Sequence, residues 1–279
     1  VDGWDDPRLP TINGLRRRGF TSEGINAFCD DIGVNRKDNT MVEVARLHYW
    51  IRWHLDTICH RRMAVLKPLL VELTNYDEGV AEEVDMPNHP KDKSFGTRKV
   101  LFSKYLYVDR DDFREVDEKN FFGLAPGKEV RLKFAYYITC DEVVKDKNGE
   151  IIELRCTYDS ETKGGKSIDK RKVRGTLHWV SAKENVKAEI RLYDRLFKSE
   201  HPEQGGDFIE NINHESLRII DQAIIESSMS SLEKGNAYQF ERVGYFINDE
   251  KQSSDRRLVF NQAVSLRDSW KRIIDKNGN

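Results

Sequence analysis

The sequence predicts an α+β protein, mainly β, in which a small helical subdomain is followed by two antiparallel β-barrels. Three observations predict it. Helical periodicity and capping signals are confined to residues 1 to about 61. From Met63 onward the chain turns to short β-rich runs with partial two-residue alternation, separated by turn-forming residues. No long helix interrupts those runs, which argues for barrels or sandwiches and against a parallel α/β sheet. The β-rich texture lasts for roughly 200 residues, generous for one small barrel, so two are expected.

Taken in order, Pro7 and Pro10 bias Asp6 and Leu9 toward extended backbone. Thr11 then caps a short helix that ends near Gly14 or Gly19. Arg16, Arg17 and Arg18 spread around one helical turn and cannot share a partner. At least one is expected on neighbouring protein, the others on solvent or a polyanion. Thr21 caps a helix with apolar positions at Ile25, Phe28, Cys29 and Ile32, stopped by Gly33. Thr40 and Glu43 fit a capping box for a helix carrying Val44, Leu47, Ile51, Leu55 and Ile58 and running to about His60.

Strands are predicted over Met63–Leu73, Lys99–Val108, Glu129–Cys140, Ile151–Tyr158, Lys172–Ser181, Val186–Tyr193, Tyr238–Ile247 and Arg257–Leu266. Asn148-Gly149 marks a hairpin between two of them. Lys198 to Gly206, with Pro202, Gly205 and Gly206, reads as a surface loop, and Asp275–Asn279 as a frayed end.

With 279 residues, 38% hydrophobic and 34% charged, the chain has room for two or three modest domains with highly charged surfaces. No apolar run approaches the ~18 residues of a membrane helix, and Asp5, Asp6 and Arg8 punctuate the first apolar stretch, so neither a membrane span nor a signal peptide is expected. A formal charge of −2 neither announces nor excludes a nucleic-acid partner, because local patches decide that. Cys29, Cys59, Cys140 and Cys156 form no close pair; free buried thiols in a cytosolic protein are expected, and no structural zinc. The chain begins at Val1 and is expected to be a fragment of something longer.

Catalytic signatures are missing: there is no glycine-rich phosphate loop, no G-x-S-x-G and no H-E-x-x-H. Asp109, Asp111, Asp112 and Glu115 read as solvated loop acids. His48, His54 and His60 recur every six residues, which spreads them around a helix and away from a common ligand face. Binding has better candidates. Arg61 and Arg62 sit where the helical part meets the first strand. Arg131 and Lys133 are two apart in a predicted strand and share a face. Along Gln239-Phe240-Glu241-Arg242, Gln239 and Glu241 are expected on one strand face, Phe240 and Arg242 on the other. Gln and Glu can hydrogen-bond base edges, and Arg offers a fork or a stacking plane.

Gly3-Trp4-Asp5-Asp6-Pro7-Arg8-Leu9-Pro10-Thr11-Ile12, followed by Gly14-Leu15-Arg16-Arg17-Arg18-Gly19-Phe20, resembles one segment of class I glutaminyl-tRNA synthetases. Further strings resemble that family in its own order. They include Arg62-Met63-Ala64-Val65-Leu66, Met86-Pro87-Asn88-His89-Pro90 and Gly127-Lys128-Glu129-Val130-Arg131-Leu132. Cys156-Thr157-Tyr158-Asp159, Gly175-Thr176-Leu177-His178-Trp179-Val180-Ser181 and Arg191-Leu192-Tyr193-Asp194-Arg195-Leu196-Phe197 follow. Gln239 to Phe246 and Val259-Phe260-Asn261 complete a series running from Gly3 to Trp270.

The resemblance implies a helical subdomain at 1–61, a proximal barrel at 62–172 plus 258–272, and a distal barrel at 173–257. It implies anticodon binding, with Arg61, Gln239 and Arg242, and Glu241 beside them, around the middle uridine, and Arg131 and Lys133 near the first base. Asn120 stands where the family often has a glutamine, and Arg36 and Lys37 resemble a backbone contact inside the tRNA elbow. Phe122 and Gly123 depart from the family's basic residues at those positions. The family's His-containing signature and lysine loop are not in this chain, so the chain is expected to bind tRNA weakly and to catalyse nothing, with no cofactor of its own. The full-length enzyme would be a cytoplasmic, monomeric ligase joining glutamine to tRNA(Gln) with ATP and Mg²⁺, through a catalytic half missing here. A glutamyl-tRNA synthetase of the archaeal and eukaryotic type, or a non-enzymatic β-barrel interaction module, are the alternatives.

Overall fold

Two of the three helices among the described residues open on the caps that the sequence marks. The computed structural model describes residues 1–33, 42–204, 207–231 and 235–266. In it the Thr11 hydroxyl accepts the Gly14 N–H at 3.0 Å to open α1 (Ile12–Arg18), which Gly19 closes at φ 94°. Thr21 accepts the Gly24 N–H to open α2 (Ser22–Ile32), and Gly33 closes it. Each hydroxyl satisfies an N–H that the first turn leaves without an intrahelical partner. α3 (Val44–Ile58) differs: its N-cap is Glu43, which makes no side-chain bond, and Thr40 lies outside the described residues. The three arginines of α1 diverge. Arg17 pairs with Asp249 at 3.1 Å and Asp5 at 3.3 Å, Arg18 lies 5.5 Å from the rings of Phe20 and Tyr193, and Arg16 is exposed.

Sixteen strands follow among the described residues. The first eight are β1 (His60–Arg62), β2 (Ala64–Val65), β3 (Pro68–Leu73), β4 (Ala81–Pro87), β5 (Thr97–Ser103), β6 (Tyr105–Asp109), β7 (Glu129–Leu132) and β8 (Tyr137–Lys145). The rest are β9 (Ile151–Asp159), β10 (Thr176–Leu177), β11 (Val180–Ser181), β12 (Asn185–Tyr193), β13 (Leu217–Glu226), β14 (Ala237–Phe240), β15 (Gly244–Asn248) and β16 (Leu258–Ser265). The chain is mainly β with a small helical part, and its strands form two barrel-like sheets. It divides into two units. One comprises Val1–His60, Glu189–Asp221 and Glu233–Asn279, the other Arg61–Ala188 and Gln222–Leu232.

In the first unit β14, β15 and β16 run side by side, followed by β12 and β13. The helices bury their apolar face on this sheet: Phe20, Ile51, Leu55 and Cys59 pack with Tyr245, Ala263 and Val264. That burial, at ~25 cal/mol per Å² of apolar surface, is what holds short helices that would not persist alone. Tyr245 adds a hydrogen bond from its hydroxyl to Asp56 at 3.0 Å.

The second unit is a seven-stranded sheet in the order β10-β7-β8-β9-β3-β6-β11, with a β4–β5 hairpin. Trp179, Phe102, Leu69, Leu73 and Leu106 fill its core. The pairing is mostly antiparallel, as expected, but β3 joins β9, and β7 joins β10, in parallel. Parallel partners need long connections, and both pairs have whole strands between them in sequence.

Several predicted runs are divided. Met63–Leu73 breaks at Leu66 and Lys67, whose N–H groups turn to the Asp109 carboxylate at 3.1 and 3.4 Å. Asp109 is therefore a half-buried turn-former, not a solvated acid, and burial raises its pKa despite those bonds. Glu129–Cys140 splits at a turn through Phe134, φ 63°. Lys172–Ser181 supplies only β10 and β11, and β4 and β13 arise where no strand was expected. The Asn148-Gly149 hairpin forms: the Asp146 carboxylate accepts the N–H groups of Asn148 and Glu150 at 2.8 and 2.9 Å. No helix among the described residues is long and apolar enough to cross a membrane.

Candidate nucleic-acid interface

The β14–β15 hairpin is anchored before it presents anything. Its register sets Gln239 opposite Tyr245 and Phe240 opposite Gly244. Phe240 stacks on Phe246 with centroids 4.5 Å apart and meets Phe260 edge-on at 5.3 Å. The strand ends there. Glu241, Arg242 and Val243 form a tight turn, closed by the Val243 N–H on the Phe240 carbonyl at 3.0 Å. The expected alternation of faces through Glu241 and Arg242 is thus corrected: the chain turns before it can alternate. Arg242 sits at φ 66°, in the left-handed region, with its side chain exposed at the tip. Holding a non-glycine residue there costs about 1–3 kcal/mol, and such strain collects at functional positions. Gln239 and Glu241 are each only 8% exposed, and the buried Oε1 of Gln239 has no hydrogen-bond partner among the described residues. An acceptor left unsatisfied this way is unfavourable unless something else bonds it.

Arg61 belongs to the other unit and is held differently. Its residue is 4% exposed, and its N–H donates to the Asn88 carbonyl at 2.7 Å. Arg62 donates to the Arg61 carbonyl and to Asn88 Oδ1, both at 2.8 Å. Below them Arg98 clasps Glu226 at 2.5 and 2.8 Å, and the same carboxylate accepts the Met63 N–H at 2.7 Å. The Met86–Pro90 string works as a brace in this cluster. Asn88 Nδ2 donates to Phe95, while His89 Nδ1 accepts from the N–H groups of Lys91 and Asp92.

Arg131 lies in β7, whereas Lys133 falls one residue beyond it, at the turn through Phe134. Arg131 is oriented by the protein: Nε and Nη2 donate to Thr176 Oγ1 at 3.1 and 2.8 Å, and its stem packs on Gly165. The Lys133 ammonium is 5.4 Å from the Phe134 ring, and its carbonyl accepts the Trp179 indole N–H at 3.0 Å. Asn120 is exposed, at φ 72°. Of the four non-glycine residues at positive φ among the described residues, two are predicted site residues and a third adjoins Lys133. Arg36 and Lys37 lie outside the described residues.

Sequence reasoning missed the basic stretch around Lys163–Arg174. Lys166, Lys170, Lys172 and Arg174 are exposed there, and Gly165 carries the stretch onto Arg131. Arg171 is occupied, bonded to Glu129, Asp159 and Asp169, which raise its pKa. The density of lysines was the available signal. His48 packs edge-on against Phe20, and His54 Nδ1 is 2.8 Å from the Thr21 hydroxyl. Among the described residues no three His, Cys, Asp or Glu side chains could hold a metal ion.

Comparison with known proteins gives one consistent result. Models of "tRNA synthetases class I (E and Q), anti-codon binding domain" match residues 59–159 and 176–249, and the model of the catalytic domain of the same enzymes matches 1–57. A glutamine–tRNA ligase of Nitrobacter winogradskyi is 47% identical over 273 residues, 98% of this chain and 48% of that protein. That of Tolumonas auensis is 50% identical over 270 residues, 97% of this chain and 49% of that protein. The ligase of Pseudomonas putida is 48% identical over 273 residues, covering 97% and 48%. The chain spans about half the length of these curated relatives.

Proposed function

From a chain that belongs to the class I tRNA synthetases for glutamate and glutamine, we propose a tRNA-binding role: it is the anticodon-binding portion of a glutamine–tRNA ligase. The observation that carries this reading is the succession of two anticodon-binding matches in the family's order, with relatives named for glutamine throughout. The glutamyl alternative is not favoured by those relatives. Helices 1–61, a proximal barrel at 62–172 plus 258–272 and a distal barrel at 173–257 are the proposed divisions.

Arg242, Gln239 and Glu241 at the β14–β15 hairpin are the proposed contacts of the middle anticodon base. An exposed guanidinium at a strained tip and a buried amide with a spare acceptor suit hydrogen bonding to a splayed base. Arg61, buried and with its N–H on the Asn88 carbonyl, is a further proposed anticodon contact. Arg131, Lys133 and Asn120 serve the neighbouring bases, and Arg36 and Lys37 the backbone.

The full-length protein is proposed to join glutamine to tRNA(Gln) with ATP and Mg²⁺, as a monomer in the cytoplasm. ATP does not fit the residues in hand. The part matching the catalytic domain comprises, among the described residues, α1–α3 and their caps, with no glycine-rich loop, and no step through the nucleotide is derived for this chain. Titrating the chain with tRNA(Gln) and tRNA(Glu) at low and moderate salt tests the reading. Preference for tRNA(Gln) is expected; preference for tRNA(Glu) would transfer the assignment to the glutamyl enzyme, and no binding at low salt would end it.

A further inference from the structure

The segment from Arg114 to Leu124 spends unusual backbone constraint on presenting one apolar side chain. The Arg114 N–H bonds the Leu124 carbonyl at 3.1 Å, the Leu124 N–H bonds Asp112 at 2.8 Å, and the Phe121 N–H bonds Glu118 at 3.0 Å. Asn120 takes a left-handed φ of 72° just before the two phenylalanines. Phe121 is fixed between cations, with the Arg114 guanidinium 4.6 Å and the Lys128 ammonium 5.4 Å from its ring. Lys128 also bonds the Phe121 carbonyl at 2.5 Å. Backbone then packs against backbone on both sides of Phe122. A Cβ on Gly123 would stand under 3.0 Å from the Asp112 carbonyl, and one on Gly175 under 3.0 Å from the Phe122 carbonyl. Only glycine permits either approach.

Held this firmly, Phe122 is still 48% exposed. A scattered surface phenylalanine needs no explanation, but this one has two further properties. Its backbone position is fixed by its neighbours, so stacking on it would require little ordering. The residue packed on its carbonyl, Gly175, lies just before β10 and directly follows Lys172, Val173 and Arg174, and both basic side chains are exposed. An aromatic face beside cations that can hold phosphate is the arrangement by which proteins bind unpaired nucleotides.

We propose that Phe122 is a stacking platform for an unstacked base of the bound tRNA's anticodon loop, with Lys172 and Arg174 holding the adjoining phosphates. This rests on the anticodon-binding reading above. Recognition here is by ring overlap: it tolerates base identity and supplies affinity and order.

The test uses the 279-residue chain and an anticodon stem-loop of tRNA(Gln) carrying 2-aminopurine at one loop position at a time. Fluorescence quenching at one position is expected on binding. Phe122→Ala should abolish that quenching and weaken binding roughly 5- to 150-fold, the usual range for one stacked base. Phe122→Trp should restore both, with its own indole emission quenched by RNA; Phe122→Leu, apolar but without a ring, should not. Lys172→Gln or Arg174→Gln should each lower the salt slope by about 1, which Phe122→Ala leaves unchanged. Wild-type binding with Phe122→Ala equal to it in affinity and quenching would overturn the platform and leave the anticodon reading standing. Failure of the wild type to bind the stem-loop at low salt would overturn both.

Discussion

Replacing Arg242 by glycine and by alanine separates what its backbone costs from what its side chain does. Both variants lack the guanidinium, so they differ only at φ 66°. An alanine held in the left-handed region is strained by about 1–2 kcal/mol, and glycine is not. Glycine returns about 0.5–1 kcal/mol of that advantage through the greater freedom of its unfolded chain. The net expectation is a hairpin about 0.5–1 kcal/mol more stable in Arg242→Gly than in Arg242→Ala. Amide hydrogen exchange along β14 and β15 reads this directly, as roughly two- to five-fold slower opening in the glycine variant. RNA titration should not distinguish the two. Both variants should lose about 1–3 kcal/mol of binding to tRNA(Gln), the range for a specific base contact. Equal exchange in the two would show that the turn is not strained, and undiminished RNA affinity would show that the guanidinium meets no base.

Removing the Glu226 carboxylate should destabilise the second unit by about 3–5 kcal/mol, because Arg98 and Arg62 would be left buried around it without their acid. Urea unfolding of Glu226→Ala, and of its combination with Arg98→Met, checks this; the double change should cost less than the sum. Asp6 would have its pKa raised by burial, but the bonds from Arg8 and from the N–H groups of Asp2 and Arg8 hold it below the ordinary carboxylate range. Its contribution is therefore complete above the unfolded value near 3.8 and is lost as pH falls through the lower folded value. Stability measured from pH 5 downward should fall more steeply in the wild type than in Asp6→Asn. Gly175→Ala should destabilise by about 1–3 kcal/mol, since a Cβ there meets the Phe122 backbone. A thermal unfolding midpoint equal to wild type would contradict that contact.

Local signals with a strong chemical cause were legible from sequence. Thr11, Thr21, Gly19 and Gly33 mark their helix ends because orphan N–H and carbonyl groups need those residue types. Asn148-Gly149 marks its hairpin for a similar reason. Turns without turn residues were not legible. Phe134 and Arg242 adopt left-handed backbone that their sequences do not request, and tertiary packing imposes it. β4 was hidden because it buries only Val84 and Met86 among acids, and β13 because its first half is largely exposed. Each unit is assembled from separated segments, which long-range contacts join and no local pattern records. At the candidate site, residue type identified Arg242 and Gln239, but not that one is strained and exposed and the other buried. The basic stretch near Arg174 escaped notice because it matches no motif.

The most direct measurement is a titration of this chain with tRNA(Gln) beside a version altered only at the middle anticodon base, at low and moderate salt. Base reading by the β14–β15 hairpin predicts weaker binding of the altered tRNA by about 1–3 kcal/mol at both salt concentrations, a difference that disappears in Arg242→Ala. Equal binding of the two tRNAs, vanishing together as salt rises, would mean that only phosphate contacts are made and would contradict it.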